Sequence, residues 1–493
     1  MNKNFKLIIV AILCVSITYG CFEDRDDNGA FGSEISDFVW KGMNFWYLYK
    51  DDVPDLANDK FSSNEEYADY LNLFSGPEEL FENLKYQPQT IDKFSRLLSD
   101  YIAFEQLIEG CAVRSGYEID FYSVPGSSGD LFGIVRLVLP GSNAESAGLQ
   151  RGQLFYGING VQLNNDNINS LFSPESYDMN LASYDDNGTP GTDDDSIIEE
   201  NETFTLTKAP FCENPIFKTE ILNIEGENVA YLMYNGFVSD FDNQLNSAFA
   251  NFKANNAQHL VLDLRYNPGG SVNSSILLAS LITGQFTSQV HSTEQWNSEI
   301  QTIFFNQNPE NLINRFPDSF GGGSSINSLF LDKVYVLTTG DSASASELVI
   351  NTLNPYINVV QIGTTTSGKY QGSITLYDSA DFGRNGANPN HTYAMQPLVV
   401  KYANASGFTD FVDGLAPDII FSENPQNYGI LGNANEPMLA RALMEIAITN
   451  APIQFTENIF PFATSNDFDR FTDEMFTDKI LPKEVIKRLE FNQ

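Results

Sequence analysis

Histidine is nearly missing from this chain: three in 493 residues, His259, His291 and His391, each standing alone. With only four cysteines, no Cys/His spacing suggests zinc, and no metal or other cofactor is expected. Basic residues are scarce as well. Lys and Arg number 27 against 65 Asp and Glu, a formal charge of −38, which argues against nucleic acid or an anionic membrane surface as partner. Beyond the N-terminus no segment is long and apolar enough to cross a bilayer. What is present is core material. The chain is 42% hydrophobic and 13% aromatic with its acid spread out, the composition of a folded protein, and its length has room for about three domains.

Residues 1–20 read as a secretory signal, with Lys3 and Lys6 supplying a positive start and Leu7 to Val15 an apolar stretch too short to span. Gly20-Cys21 resembles the bacterial lipoprotein box, although Thr18 stands where that box usually has Leu. The acidic stretch Phe22-Glu23-Asp24-Arg25-Asp26-Asp27 resembles the surface-export signals of Bacteroidetes lipoproteins. These resemblances imply a lipid on Cys21, a tether over 21–32, and membrane contact through that N-terminal anchor. The expected location is the outer membrane, on its periplasmic or cell-surface face; plain secretion is the alternative. Cys14 lies inside the signal. Cys111 and Cys212 remain, and whether they pair or stay as free thiols is open.

The rest of the chain divides by pattern. Residues 33–110 are helical in period, with Phe38, Trp40, Phe45, Trp46 and Tyr49 as core aromatics. Residues 111–209 are rich in strands: Tyr117 to Phe121 alternates, Gly126 to Gly129 turns, and Phe132 to Leu139 follows. Ala147-Gly148-Leu149-Gln150-Arg151-Gly152-Gln153-Leu154 and then Ile158-Asn159-Gly160-Val161 resemble a PDZ domain. Such domains bind a chain end by adding it as a strand. The position of the carboxylate loop falls on Gly116, Tyr117, Glu118 and Ile119, without the second Gly of the usual pattern. Asp185, Asp186 and Asp193 to Asp195 form an acidic insertion, read as solvated rather than as a calcium loop because Thr189 to Thr192 interrupts the ligands. Residues 210–450 form a third region, and 451–493 an extension without recognisable kin.

In that third region three apolar strands each run into a turn bearing chemistry. His259 to Leu264 leads to Asn267-Pro268-Gly269-Gly270, Lys333 to Thr338 leads to Ser342-Ala343-Ser344-Ala345-Ser346-Glu347, and Asn358 to Gly363 leads to Ser367-Gly368-Lys369. Buried runs of this kind, with helical stretches between, read as parallel strands of βαβ units. Right-handed crossovers then bring the three turns to one edge of the sheet. A serine needs a base to act as nucleophile. No histidine occupies a comparable turn, and a lysine desolvated at strand ends loses its proton more readily.

Together with Tyr231 to Phe237, these motifs resemble peptidase family S41, the C-terminal processing or tail-specific serine peptidases. The resemblance covers roughly Ser95 to Tyr377. It implies an α/β multidomain fold: a helical N-terminal domain, a PDZ-like module and an α/β core of the ClpP/crotonase-like type. It implies Ser344 as nucleophile and Lys369 as general base, since the family's base follows its serine by 25 residues, as Lys369 follows Ser344. The oxyanion donors would be the N–H of Ala345 and that of Gly269 or Gly270, a choice left open. Ser344 and Glu347 also have the spacing of a capping box for the helix 346–353. The family's lysine-orienting Gln falls on Ser373 here, with Gln371 the nearest amide. Implied substrates are polypeptides, cut near apolar C-termini. A peptide-binding lipoprotein with a decayed site is the alternative, and the absence of a Gly-x-Ser-x-Gly elbow argues against an esterase.

Overall fold

The computed structural model describes residues 31–189, 194–447 and 475–476. The signal, Cys21, most of the tether and nearly all of 451–493 lie outside these residues. Among the described residues no helix is long and apolar enough to cross a membrane, and no cluster of three or more His, Cys, Asp or Glu could hold a metal.

Two six-stranded sheets organise the third region. The first runs Ile216–Ile224, Glu227–Tyr234, His259–Asp263, Lys333–Thr338, Asn358–Gly363 and Ile419–Ile420. Its first pair is antiparallel and every later neighbour parallel, with registers such as Leu262 against Val336 and Val336 against Gln361. The three turn-bearing strands are therefore adjacent and point the same way, as their apolar sequences predict. Helices Asp242–Ala254, Val272–Ile282 and Ala345–Leu353 cover one face through Leu245, Phe249, Leu278 and Val349. The other face is covered by Pro437–Ile446, whose Met438, Leu439, Ala442 and Leu443 recur at helical spacing.

The second sheet is built from distant pieces in the order Gly270–Ser271, Met475–Phe476, Gln371–Ser373, Leu398–Asn404, Val290–Trp296, Ile313–Arg315. The N-terminal region packs on it. In helix Phe31–Trp46, Phe38, Val39, Met43 and Trp46 are buried, and Gly42 allows close approach, since a Cβ there would meet Met395 Cε at 2.3 Å. That region is not helical throughout: Arg96–Leu98 is a strand antiparallel to Ala394–Gln396, its pairing partner too remote in sequence for local periodicity to show. The tether also ends earlier than expected, because the helix already begins at Phe31.

Between the N-terminal and third regions in sequence comes an antiparallel six-stranded module ordered Tyr117–Ser123, Asp130–Val138, Val161–Asn164, Leu154–Ile158, Ser176–Asp185, Ser196–Thr207. Of the acidic insertion, Asp185 ends and Asp186 follows the first of the last two strands, which pair antiparallel, and Asp194 and Asp195 precede the second. Cys111 and Cys212 face each other in a two-stranded ribbon at the module's two ends and form a disulfide.

That bond closes a loop with a sequence separation of 101 and removes entropy from the unfolded chain. The Cys111→Ser/Cys212→Ser variant should lose about 2–5 kcal/mol in urea unfolding under oxidising conditions. An unchanged midpoint would mean that the ribbon's backbone pairing, not the disulfide, fixes the module.

Candidate active site

The three turns are bonded to one another. Ala343 N–H donates to the Asn267 carbonyl at 3.1 Å, tying the second turn to the first, and Ser367 N–H donates to the Ser342 carbonyl at 3.1 Å, tying the third to the second. Side chains reinforce this. Ser342 Oγ donates to Leu264 O at 2.8 Å, Ser346 Oγ to Asn267 O at 3.0 Å, and the Thr339 hydroxyl to the Arg265 carbonyl. Beneath them Arg265, fully buried, is held by Asp263 at 2.7 Å and by Glu423 and Glu436 at 2.8 Å each.

Ser344 stands at the N-cap of helix Ala345–Leu353 with φ +65° and ψ −115°. A side-chain-bearing residue at such angles stores on the order of 1–3 kcal/mol of strain. The helix opens in the capping-box layout, Glu347 accepting the Ser344 N–H at 2.8 Å, yet the Ser344 Oγ has no hydrogen bond of its own. The capping box accounts for the glutamate and leaves the hydroxyl unused. Gly269, at φ +113°, lies directly against it: a Cβ there would come within 2.6 Å of Ser344 Cβ and 3.0 Å of Ala345 N.

Asn267 shapes the glycine turn. Its Nδ2 donates to Tyr234 O at 2.7 Å and its Oδ1 accepts the Gly269 N–H at 2.9 Å. The Gly269 carbonyl accepts from Phe237 N–H at 2.8 Å. In a planar trans peptide the N–H points opposite the C=O, so the Gly270 N–H is directed away from Phe237, toward the Met475 side. The Ala345 N–H, in the first turn of a helix, belongs to the donors that lack intrahelical partners.

Glu347 joins the serine turn to the lysine turn. Its Oε2 accepts the N–H of Ser344 and of Lys369, both at 2.8 Å, and its Oε1 accepts Gly368 N–H at 2.7 Å and Thr366 Oγ1 at 2.5 Å. Burial pushes this carboxyl up from an ordinary 4.5 to about 7, with the four donors pulling the other way. Lys369 is 1% exposed, and its Nζ lies 5.3 Å from the centre of the Phe94 ring. Gln371 donates through Nε2 to Tyr49 OH at 2.9 Å while its Oε1 is buried without a partner. Ser373 is buried in the same strand.

The histidines lie elsewhere. Burial drives His291 down to about 3, and its Nε2 is 3.0 Å from Thr352 Oγ1; His259 pairs with Glu227 and His391 with Asp378. The loop at Gly116 leads straight into the edge strand Tyr117–Ser123. Glu118 lies 3.5 Å from Arg136, which also holds Asp120 at 2.7 Å and Asp341 of the serine turn at 2.8 Å. A cleft of about 1370 Å³ runs from Tyr117, Glu118 and Ile119 to Gly269, Gly270 and Phe476.

A profile of the peptidase family S41 matches residues 228–420, and one of the peptidase S41 N-terminal domain matches residues 34–96. This chain belongs to peptidase family S41. Similar proteins include the carboxyl-terminal-processing protease of Picosynechococcus, 23% identical over 317 residues that cover 63% of this chain and 65% of that protein. Another is the chloroplastic carboxyl-terminal-processing peptidase 3 of Arabidopsis thaliana, 23% identical over 66% of this chain and 57% of its own length. The chain thus spans less than two thirds of these relatives. In fold it resembles a Bacteroides fragilis protein assigned to the S41 proteases, with TM-score 0.65 and 24% identity over 83% of this chain and 96% of that one.

Sequence reasoning took Glu347 only as a helix cap and gave no weight to Asn267 in this S41 chain. It missed Tyr49 as a partner of Gln371, because a contact across 322 residues leaves no trace in spacing. Two outcomes follow. Gln at 347 must turn its NH₂ toward at least one backbone N–H that the carboxylate now accepts, so Glu347→Gln should lower kcat/KM for a peptide by about a hundredfold. Because the folded carboxyl holds its proton more tightly than the unfolded one, wild-type stability should fall as pH rises from about 4.5 to about 7. Urea titrations should show that slope flattened in Glu347→Gln. Separately, Ser344→Gly should be more stable than Ser344→Ala by about 1 kcal/mol, since only glycine relaxes at this φ; equal stabilities would remove the strain.

Proposed function

We propose that the chain is a serine endopeptidase in which Ser344 attacks the scissile carbonyl and Lys369 accepts its proton. The observation that carries this is Glu347: one buried carboxylate holds the backbone of both residues while the Ser344 hydroxyl has no hydrogen bond. Lysine at 1% exposure is removed from water, which disfavours the ammonium form. Proton transfer to Nζ leaves an alkoxide that forms the tetrahedral adduct. Its oxyanion needs preorganised N–H donors. Ala345 supplies the first; Gly270 is the better second, because the Gly269 N–H is engaged by Asn267. The ammonium then returns its proton to the leaving amine, and water repeats the cycle on the acyl-enzyme. Gln371, with its unpartnered Oε1, takes the orienting role at the lysine in preference to Ser373.

Substrates on this reading are polypeptides with apolar C-terminal segments. The module of residues 111–209 acts as a PDZ-like receptor: Tyr117–Ser123 is an edge strand to which an extended peptide can add, and it borders the cleft that reaches Gly269.

Cleavage of casein or a tagged apolar peptide tests the assignment. Ser344→Ala should be inactive with its thermal transition nearly unchanged. Lys369→Arg should be as inactive as Lys369→Ala, because guanidinium keeps its proton at any workable pH. A Lys369→Arg kcat/KM within about tenfold of wild type, a barrier change of ~1.4 kcal/mol, would exclude lysine as base.

A further inference from the structure

One strand in the second sheet does not belong to the core's own sequence. Met475–Phe476 lies between Gly270–Ser271 and Gln371–Ser373, parallel to both, with Gly270 opposite Met475, and Ser271 and Ser373 both opposite Phe476. One flank is the oxyanion glycine turn; the other follows Lys369 by two residues. Without an occupant these two short strands would present unpaired backbone edges to each other. A slot edged on both sides by unpaired backbone accepts an extended chain by strand addition, with main-chain bonds supplying affinity and side-chain pockets selectivity. Met475 stands opposite Gly270, next to the glycine that abuts Ser344, so a chain in the slot passes the nucleophile. Phe476 contributes to the wall of the cleft. Ser344 and Lys369 are 0% and 1% exposed, so a substrate reaches them only by displacing what covers them.

We propose that the slot between Gly270–Ser271 and Gln371–Ser373 is the substrate-strand site, that it takes an extended polypeptide carrying adjacent apolar side chains, and that Met475–Phe476 of this same chain fills it in cis. The inference rests on the peptidase reading of the site and adds both a substrate class and a regulation. A strand carried on the same chain binds as an intramolecular competitor, so a free polypeptide must outcompete it. Occupancy by the chain's own segment holds the enzyme back until substrate, or a partner that binds the C-terminal segment, displaces it.

The test uses the full chain carrying Ser344→Ala, which cannot cut the probe, with and without Met475→Asp/Phe476→Asp. The probe is a fluorescein-labelled peptide of residues 470–481, read by fluorescence anisotropy. Freed of its own strand, the Asp-bearing protein should bind the probe at least about tenfold more tightly than its parent, and Phe476→Pro, which removes a strand N–H, should act in the same direction. Affinities within about threefold of each other, or no binding to the freed protein, would overturn the proposal. With Ser344 restored, the Asp substitutions should lower KM for an apolar peptide and leave kcat within about twofold. The two readings fail separately. Absence of Ser344-dependent turnover with a positive anisotropy result would sink the peptidase assignment alone. Turnover with equal probe affinities would sink only the occupied slot.

Discussion

Everything at the site hangs on one buried carboxylate. Glu347 receives hydrogen bonds from Ser344, Thr366, Gly368 and Lys369, and these four groups come from two turns that follow different strands. Backbone N–H groups buried without partners are costly, at about 1–3 kcal/mol each. A single residue that satisfies three of them fixes the separation of the two turns more tightly than apolar contact could. It also holds the left-handed conformation of Ser344, which directs the hydroxyl away from its own helix and against Gly269. The strain is local and the restoring bonds are close by, so the Ser344 hydroxyl is placed by the geometry of its own backbone.

Around that centre the domains are joined by charge. Arg136, from the β module, reaches Asp341 in the serine turn, and Arg151 of the same module reaches Glu423, which also receives Arg265. Arg265 is a buried cation paired with the buried carboxylates of Asp263 and Glu436, while Arg151 and Glu423 are only partly shielded. Such pairs are weak evidence of net stability, but removing one partner is costly. They position the edge strand Tyr117–Ser123 along the cleft that reaches Gly269 and Gly270. From the other side the N-terminal region closes on Lys369 through Phe94 and on Gln371 through Tyr49. The site is thus assembled by three regions of a chain whose third region alone supplies Ser344 and Lys369.

The parallel strands were legible because runs such as Leu260-Val261-Leu262 and Val334-Tyr335-Val336 leave little else for a buried segment to be, and their turns carried the chemistry at fixed spacing. Helix Ala345–Leu353 was legible from its cap, one residue from where it begins. Local pattern does not report pairing between remote pieces. The strand Arg96–Leu98 depends on Ala394–Gln396, the disulfide on the ribbon that brings Cys111 opposite Cys212, and the placing of Met475–Phe476 on two strands that are themselves far apart in sequence. That the Gly269 N–H is taken likewise depends on the Asn267 side chain, because both Gly269 and Gly270 have positive φ and look alike in sequence.

The central claim is that Ser344 is made nucleophilic by Lys369. A fluorophosphonate probe, which transfers its phosphonyl group to an activated serine oxygen with loss of fluoride, reads that property without turnover. Intact mass followed by peptide mapping should place one adduct, on Ser344, forming faster as pH rises and not forming in Lys369→Arg. An adduct on another serine, or labelling of Ser344 at an equal rate in Lys369→Arg, would contradict it.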